Sequence, residues 1–260
     1  MESKVVKTVF SCKRNELTIR GTEYRPEGEN LPIAIVCHGF MAFQDTVKQY
    51  AQVFASLGYL TYTFDFCGGC VIKGKSDGKT TEMSVLTEVE DLESVIEYAR
   101  SRKYANPMQL VIMGCSQGGF VSALVAAKEK YPISKLVLFY PAFCIPDDAR
   151  SGKMMFARFD PTNIPDVFHC GPMKLGKKYA EDVIKMDPFQ EIKSYRKDVL
   201  IVHGKKDGIV NIRYSEQAYT AYKEISNRDV QFVIIEKGKH GFSKSADSIA
   251  ISKLKEFIHL

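Results

Sequence analysis

The sequence predicts an α/β fold with a mostly parallel central sheet, helices on both faces and an inserted cap. Three observations lead there. Short apolar runs recur along the chain without polar alternation, as strands covered on both faces require. Helical patterns alternate with these runs. One long stretch between Ala142 and Asp198 breaks the rhythm, with five prolines and several Gly, Met and Phe residues.

Each element has its own signal. The first thirty residues, with "KVVKTVFSC" and "NELTIRGTEYRP", alternate enough for an antiparallel hairpin at a sheet edge. The strands that follow are expected at Pro32–Gly39, Tyr59–Phe66, Met108–Gly114, Ser134–Ala142, Asp198–Gly204 and Val230–Glu236. Helices are expected at Asp45–Leu57, Met83–Lys103, Gln117–Lys130, Ile212–Ser226 and Ala246–Ile258. The stretch after Ala142 is too long for an idle loop in a compact α/β domain and reads as a functional cover. With 45% hydrophobic residues, the chain can bury one large core. Residues 1–260 are therefore expected to form a single domain, with 143–190 as the cap within it.

Composition narrows the function classes. The net charge of +5 is spread out, and its densest stretches, "KLGKK" and "HGKKDG", are short and free of interleaved aromatics. That is a solvated face, so no nucleic-acid partner is expected. No apolar run reaches the roughly 18 residues of a membrane span, and no membrane association is expected. The start, "MESKVVKTVFSCKRN", lacks an apolar signal core, and no export signal is read there. Seven cysteines make an odd count without a paired framework; Cys37, Cys67 and Cys115 lie on or beside predicted strands, and Cys170 in a loop. Thiols buried as small hydrophobes suit a reducing compartment, so a cytoplasmic location is expected. The histidines are scattered, without the spacing of a metal site, and "CGGC" (Cys67–Cys70) leads into a Gly/Lys loop rather than a helix. Neither a metal nor a cofactor is expected. A homodimer is compatible with the sequence.

One motif carries chemistry. "GCSQGG" sets Ser116 between Gly114 and Gly118, after an apolar strand and before a helix. At so sharp a turn Gly114 and Gly118 remove side chains that would collide, Gly119 lets helix and sheet pack closely, and the hydroxyl projects at the carboxyl end of the strand. A hydroxyl needs a base, and the base needs an orienting carboxylate. His240, in "EKGKHGF", follows the last strand, and Asp207, in "HGKKDGIV", follows the one before. His38 and His203 precede glycine turns and are read as shaping those loops; His169 lies in the cap and His259 near the C-terminus. Ser116, Asp207 and His240 thus stand in the chain order of an α/β-hydrolase triad. The backbone N–H groups of Phe40, in "HGF", and Gln117 are the expected oxyanion donors.

The chain resembles the α/β-hydrolase superfamily and, more closely, the bacterial cinnamoyl/feruloyl esterases. The matching pieces are "CHGF", "GKSDGKTTEMSVLTEVEDL", "GCSQGG", "PAFCIPDDA", "NIPDV", "HGKKDGIV" and "GKHGF". The resemblance implies Ser116 as nucleophile, His240 as base, Asp207 as its orienter, and Phe40 and Gln117 as the oxyanion hole. It also implies that Asp148 and Tyr179, in the cap, hydrogen-bond the ring hydroxyl of the substrate. Two departures stand out. Cys115 replaces the usual histidine before the nucleophile, and "CGGCVIKGKSDG" is a longer loop than the usual "NGHGDSDG" and lacks its histidine.

The expected activity is that of a cofactor-free serine carboxylesterase working through an acyl-enzyme on a small-molecule ester, with hydroxycinnamoyl esters as the implied substrates. The alternatives are another acyl hydrolase or thioesterase, a peptidase-like hydrolase on the same fold, or a non-catalytic protein that reuses the pocket to bind a ligand.

Overall fold

The computed structural model describes residues 4–72, 74–225 and 229–259. Its strands are β1 (Val6–Arg14), β2 (Leu17–Arg25), β3 (Leu31–Cys37), β4 (Leu60–Phe64), β5 (Ala105–Cys115), β6 (Ile133–Phe139), β7 (Lys153–Met154), β8 (Ala157–Arg158), β9 (Val167–Cys170), β10 (Met173–Gly176), β11 (Asp198–Gly204) and β12 (Val230–Ile235). Its helices are α1 (Lys48–Ser56), α2 (Val85–Arg100), α3 (Gln117–Ala127), α4 (Ile145–Ser151), α5 (Lys178–Glu181), α6 (Pro188–Glu191), α7 (Arg213–Ile225) and α8 (Lys244–His259). An eight-stranded sheet runs β1-β2-β4-β3-β5-β6-β11-β12. Its first two pairings, β1–β2 and β2–β4, are antiparallel and the rest are parallel. The expected hairpin is the sheet edge, closed by a two-residue turn in which Asn15 takes a positive φ.

The unbroken apolar strands are explained by what covers them. Along each strand alternate side chains point to opposite faces. Ile33, Ile35, Leu110, Ile112, Leu136 and Leu138 enter one core, shared with α2, α3 and α7. Their neighbours Ala34, Val36, Val111, Met113, Val137 and Phe139 enter the other, shared with α1 and α8. Both sets are lost from water, each large side chain adding on the order of 2 kcal/mol of apolar burial. Helix α3 is buried at almost every position, since it lies between the sheet, α2 and the segment after β6. Phe120 on α3 meets Phe143 of that segment with ring centroids 5.4 Å apart.

Where boundaries differ from expectation, local bonds explain the shift. The helix expected from Asp45 begins as a 3₁₀ turn over Gln44–Val47, because Asp65 Oδ1 accepts the Gln44 N–H at 2.7 Å and Thr46 Oγ1 donates to Phe43 O at 2.7 Å. Helix α2 starts at Val85 rather than Met83, because Ser84 and Thr87 form a reciprocal capping box. Helix α3 stops at Ala127, short of the expected Lys130, and Glu129 beyond it has a φ of 51°. Strand β5 begins earlier than Met108 because Ala105 pairs with Leu31 before a register shift. Ser226, the expected end of α7, lies outside the described residues.

The excursion between β6 and β11 holds α4, the hairpins β7–β8 and β9–β10, α5 and α6. Its Ile145, Met154, Phe168, Met173, Leu175 and Val183 join the core of α2 and α3. Cys170, expected in a loop, ends β9 and is buried there, because its strand pairs with Met173. All seven cysteines are free thiols. Among the described residues no helix is long and apolar enough to cross a membrane. Polar ties fasten the excursion to the rest of the chain. Thr80 Oγ1 donates to Lys174 O, and Ser84 Oγ donates to Asp182 Oδ2, each at 2.5 Å. Ser84 thus caps α2 and holds the excursion with one hydroxyl. Ser84→Ala should lower unfolding stability by about 1–2 kcal/mol, read as a shifted urea midpoint with an unchanged slope.

Candidate active site

Strand β5 runs into α3 through a single residue. Ser116 has φ 53° and ψ −121°, a conformation costly for any residue with a side chain. The backbone around it is correspondingly tight. A Cβ on Gly114 would lie 2.1 Å from Gly118 O, and one on Gly118 would lie 2.2 Å from His38 O. Hydrogen bonds fix the turn: Ser116 N–H donates to Phe139 O, and Ser116 O accepts from Ala142, both at 2.9 Å. The hydroxyl therefore stands at the carboxyl edge of the sheet, only half-buried.

The loops after β11 and β12 bring their residues to the same place. Lys205 N–H donates to Ile235 O and Lys206 N–H to Gly238 O, which joins the two loops. His240 Nε2 lies 3.0 Å from Ser116 Oγ, and His240 Nδ1 lies 2.8 Å from Asp207 Oδ2. The three predicted residues form one hydrogen-bonded line. The ring of Tyr140 packs against the imidazole with centroids 4.8 Å apart.

Asp207 is fully saturated. Its Oδ1 accepts the N–H groups of Ile209 and Val210 at 2.8 and 2.9 Å. His203, read from the sequence as a loop former, also reaches it: His203 Nε2 is 3.2 Å from Asp207 Oδ2 and 3.0 Å from Val210 O, while Ser215 Oγ meets Nδ1 at 2.7 Å. Burial raises the Asp207 carboxyl, but hydrogen bonds from His203 and His240 outweigh it and hold the group well below the usual carboxylate range. The signal for His203 was its place four residues before Asp207. His38 keeps the role expected of it, accepting Phe66 N–H at Nε2 (3.2 Å) and meeting Gly39 O at Nδ1 (2.8 Å). His169 and His259 are exposed and distant in sequence from this cluster.

Gln117 opens α3, where the first N–H groups have no partner within the helix. Phe40 lies on the loop after β3, and that loop touches the serine: a Cβ on Gly39 would be 3.0 Å from Ser116 Cβ. Both Phe40 and Gln117 line a narrow cavity that starts at Ser116 and runs under the excursion. Its walls include Ile145, Met154, Leu175 and Val210, with Asp148 and Tyr179 as polar points. A second, more open cleft lies on the His240 side of Ser116, lined by Thr46, Gln49, Tyr50, Tyr140 and Phe242.

The two cap residues differ in state. Burial pushes the Asp148 carboxyl up to about 6, against a hydrogen bond from the Cys144 thiol and with a further push from Asp147. The Tyr179 phenol is buried and already donates to Gln117 Oε1, a partner the sequence did not suggest. Among the described residues one cluster has the donor types of a metal site, His38, Asp65 and Cys70. Each is committed elsewhere: Asp65 accepts from Gln44 and Lys75, and Cys70 Sγ donates to Ala42 O at 2.6 Å. Burial pushes the Cys70 thiol up to about 12 and the Cys67 thiol higher still, unlike a redox-active pair.

A family model described as Serine aminopeptidase, S33, matches residues 28–198. The chain belongs to this family of α/β-hydrolases. It is a hydrolase. Among solved structures it is similar to Est1E from Butyrivibrio proteoclasticus with ferulic acid bound, at 26% identity and a TM-score of 0.86 over 96% of this chain and 97% of that one. Alpha/beta hydrolase domain-containing protein 10 from mouse shares the fold at 17% identity, with a TM-score of 0.73 over 97% and 98% of the two chains. An uncharacterized 31.7 kDa protein of Escherichia coli is 29% identical over 131 residues, 50% of this chain. That match spans only 44% of the Escherichia coli protein. The α/β-hydrolase resembling feruloyl esterases, expected from the motifs, is the fold found.

The tight elbow yields a direct test. Gly118→Ala should cost about 2–3 kcal/mol, since backbone rather than a flexible side chain blocks the new methyl; thermal unfolding would show it.

Proposed function

We propose that the protein is a serine carboxylesterase acting through an acyl-enzyme on hydroxycinnamoyl-type esters. The observation that carries the reading is the Ser116–His240–Asp207 line opening onto an apolar cavity that holds a single half-buried acid, Asp148. Ser116 Oγ attacks the ester carbonyl while His240 Nε2 takes its proton. Asp207 keeps the imidazole in the tautomer with Nδ1–H and stabilises the imidazolium. The backbone N–H groups of Phe40 and Gln117 receive the negative charge of the tetrahedral intermediate. His240 then returns the proton to the departing alcohol, and a water activated by the same nitrogen releases the acid.

The two cavities support an assignment of the two halves of the substrate. The leaving oxygen must face His240, so the alcohol occupies the cavity beside Thr46 and Gln49 and the acyl group the one under the excursion. A planar aryl acid suits the apolar acyl walls, and Asp148 accepts its ring hydroxyl. Est1E, which holds ferulic acid, supports this choice of acyl group. The family model also covers aminopeptidases, so peptide amides are the competing substrates.

Ser116→Ala should lower kcat on methyl ferulate on the order of 10⁶-fold and abolish labelling by a fluorophosphonate probe. Full activity in that variant would overturn the reading, and so would faster turnover of aminoacyl p-nitroanilides than of methyl ferulate. An ionised Asp148 accepts a phenolic O–H more strongly than a protonated one, so its contribution grows as pH rises through about 6. KM for methyl ferulate should fall across that range, with no such change for p-nitrophenyl acetate. Asp148→Asn should remove the pH step and reduce kcat/KM for methyl ferulate about 10- to 100-fold.

A further inference from the structure

The Asp207 carboxylate rests on a layer of hydrogen bonds that the reaction itself does not touch. The segment "HGKKDGIVNIRYS" carries its parts, from His203 at the end of β11 through Asp207 to Ser215 in the first turn of α7. His203 and Ser215 are both 0% exposed, and the Asp207 side chain is equally sealed. Polar groups so deeply buried must satisfy one another.

The bonds fix the state of the His203 ring. Its Nε2 lies 3.0 Å from Val210 O and 3.2 Å from Asp207 Oδ2. A carbonyl only accepts, and so does an ionised carboxylate, so Nε2 carries the hydrogen. In the neutral ring Nδ1 is then an acceptor, and Ser215 Oγ, 2.7 Å away, donates to it. Val210 is thereby held at both of its backbone groups, its carbonyl by His203 and its N–H by Asp207 Oδ1. The other carboxylate oxygen, Oδ2, sits between two imidazoles, with His240 Nδ1 at 2.8 Å on its far side.

We propose that His203 is a positioning residue: locked by Ser215 with its hydrogen on Nε2, it holds the Asp207–Val210 turn closed and keeps Oδ2 in line with the His240 Nδ1–H. The role rests on the esterase reading of Ser116, His240 and Asp207. A carboxylate whose turn could shift would leave His240 without a fixed partner, and the error would pass through the ring to Nε2 beside Ser116 Oγ. Misplacing a reacting group by about 1 Å costs on the order of 100-fold in rate. The same turn carries Ile209 and Val210 into the wall of the cavity under the excursion, so a small acyl group that does not reach them isolates the effect on the base.

The test compares His203→Gln, His203→Asn and His203→Phe with wild type. The readouts are kcat and KM on p-nitrophenyl acetate, counted per labelled Ser116, and the rate of fluorophosphonate labelling, which needs no choice of ester. A Gln side chain sets its amide N–H where the ring's Nε2 stood, Asn reaches only as far as Nδ1, and Phe keeps the ring without either nitrogen. His203→Gln should stay within about fivefold of wild type. His203→Asn and His203→Phe should lower kcat and the labelling rate about 10- to 100-fold, with KM changed less than about twofold. A role in filling space would give the opposite order, with His203→Phe the best tolerated. His203→Phe at or above His203→Gln therefore overturns the proposal, and so does a loss confined to KM. If His203→Phe does not fold, His203→Asn against His203→Gln decides alone, and equal kcat overturns the role. A labelled wild type with equal variants would reject the role of His203 alone, whereas an unlabelled wild type would reject the esterase reading beneath it.

Discussion

At Ser116 the chain must leave a buried strand and enter a buried helix within one residue. The conformation that allows this is unfavourable by roughly 1–3 kcal/mol for a residue with a side chain. It persists because the surroundings leave no other path. Phe139 O at the end of the neighbouring strand and Ala142 N–H just after it grip the serine backbone, and the paired glycines let main chain press on main chain. The start of α3, the direction of the Gln117 N–H and the exposure of the hydroxyl all follow from that one turn. Relaxing it would move all of them together.

Three carboxyls near this turn show how environment divides labour. Asp207 is buried but receives two imidazoles and two backbone N–H groups, and stays ionised. Asp148 is half-buried with fewer partners, and sits near the acidic end of neutral. Glu88 is wholly enclosed with one oxygen unpaired, and stays protonated at pH 7. Hydrogen-bond supply, rather than depth alone, sets the order. The proposed roles of the first two follow from it: an anion to stabilise an imidazolium and an acceptor for a phenol.

The excursion after β6 is where members of one fold can diverge in substrate. In this chain it shares a core with α2 and α3, so its hairpins are anchored rather than loosely appended. The Ser84–Asp182 and Thr80–Lys174 bonds place its α5 and β10 over Ser116's neighbours, and Tyr179 completes the wall. The departures in the loop after β4 and at Cys115 fall on the two sides of this cleft. Gly69 lies against Glu88, and Cys115 lines the cavity on the His240 side.

Much of this was legible without coordinates. Uninterrupted apolar strands implied a covered parallel sheet, because both faces of each strand must avoid water. The spacing of glycines about Ser116 implied the elbow, because crowding there is local and leaves a local mark. The positions of Asp207 and His240 after successive strands indicated where they would stand, since parallel strands deliver their carboxyl ends to one edge. Other features depend on residues brought together only by packing. His203 beside Asp207, Tyr179 bonded to Gln117, and Glu88 sealed beneath Gly69 involve side-chain directions or separations that no periodicity encodes. The sequence alone determined the fold class and the candidate line of proton transfer, whose signals lie within single turns and strands. The tertiary structure decided which polar groups share a partner and which carboxyls keep a charge, because both depend on burial and distance across the finished core.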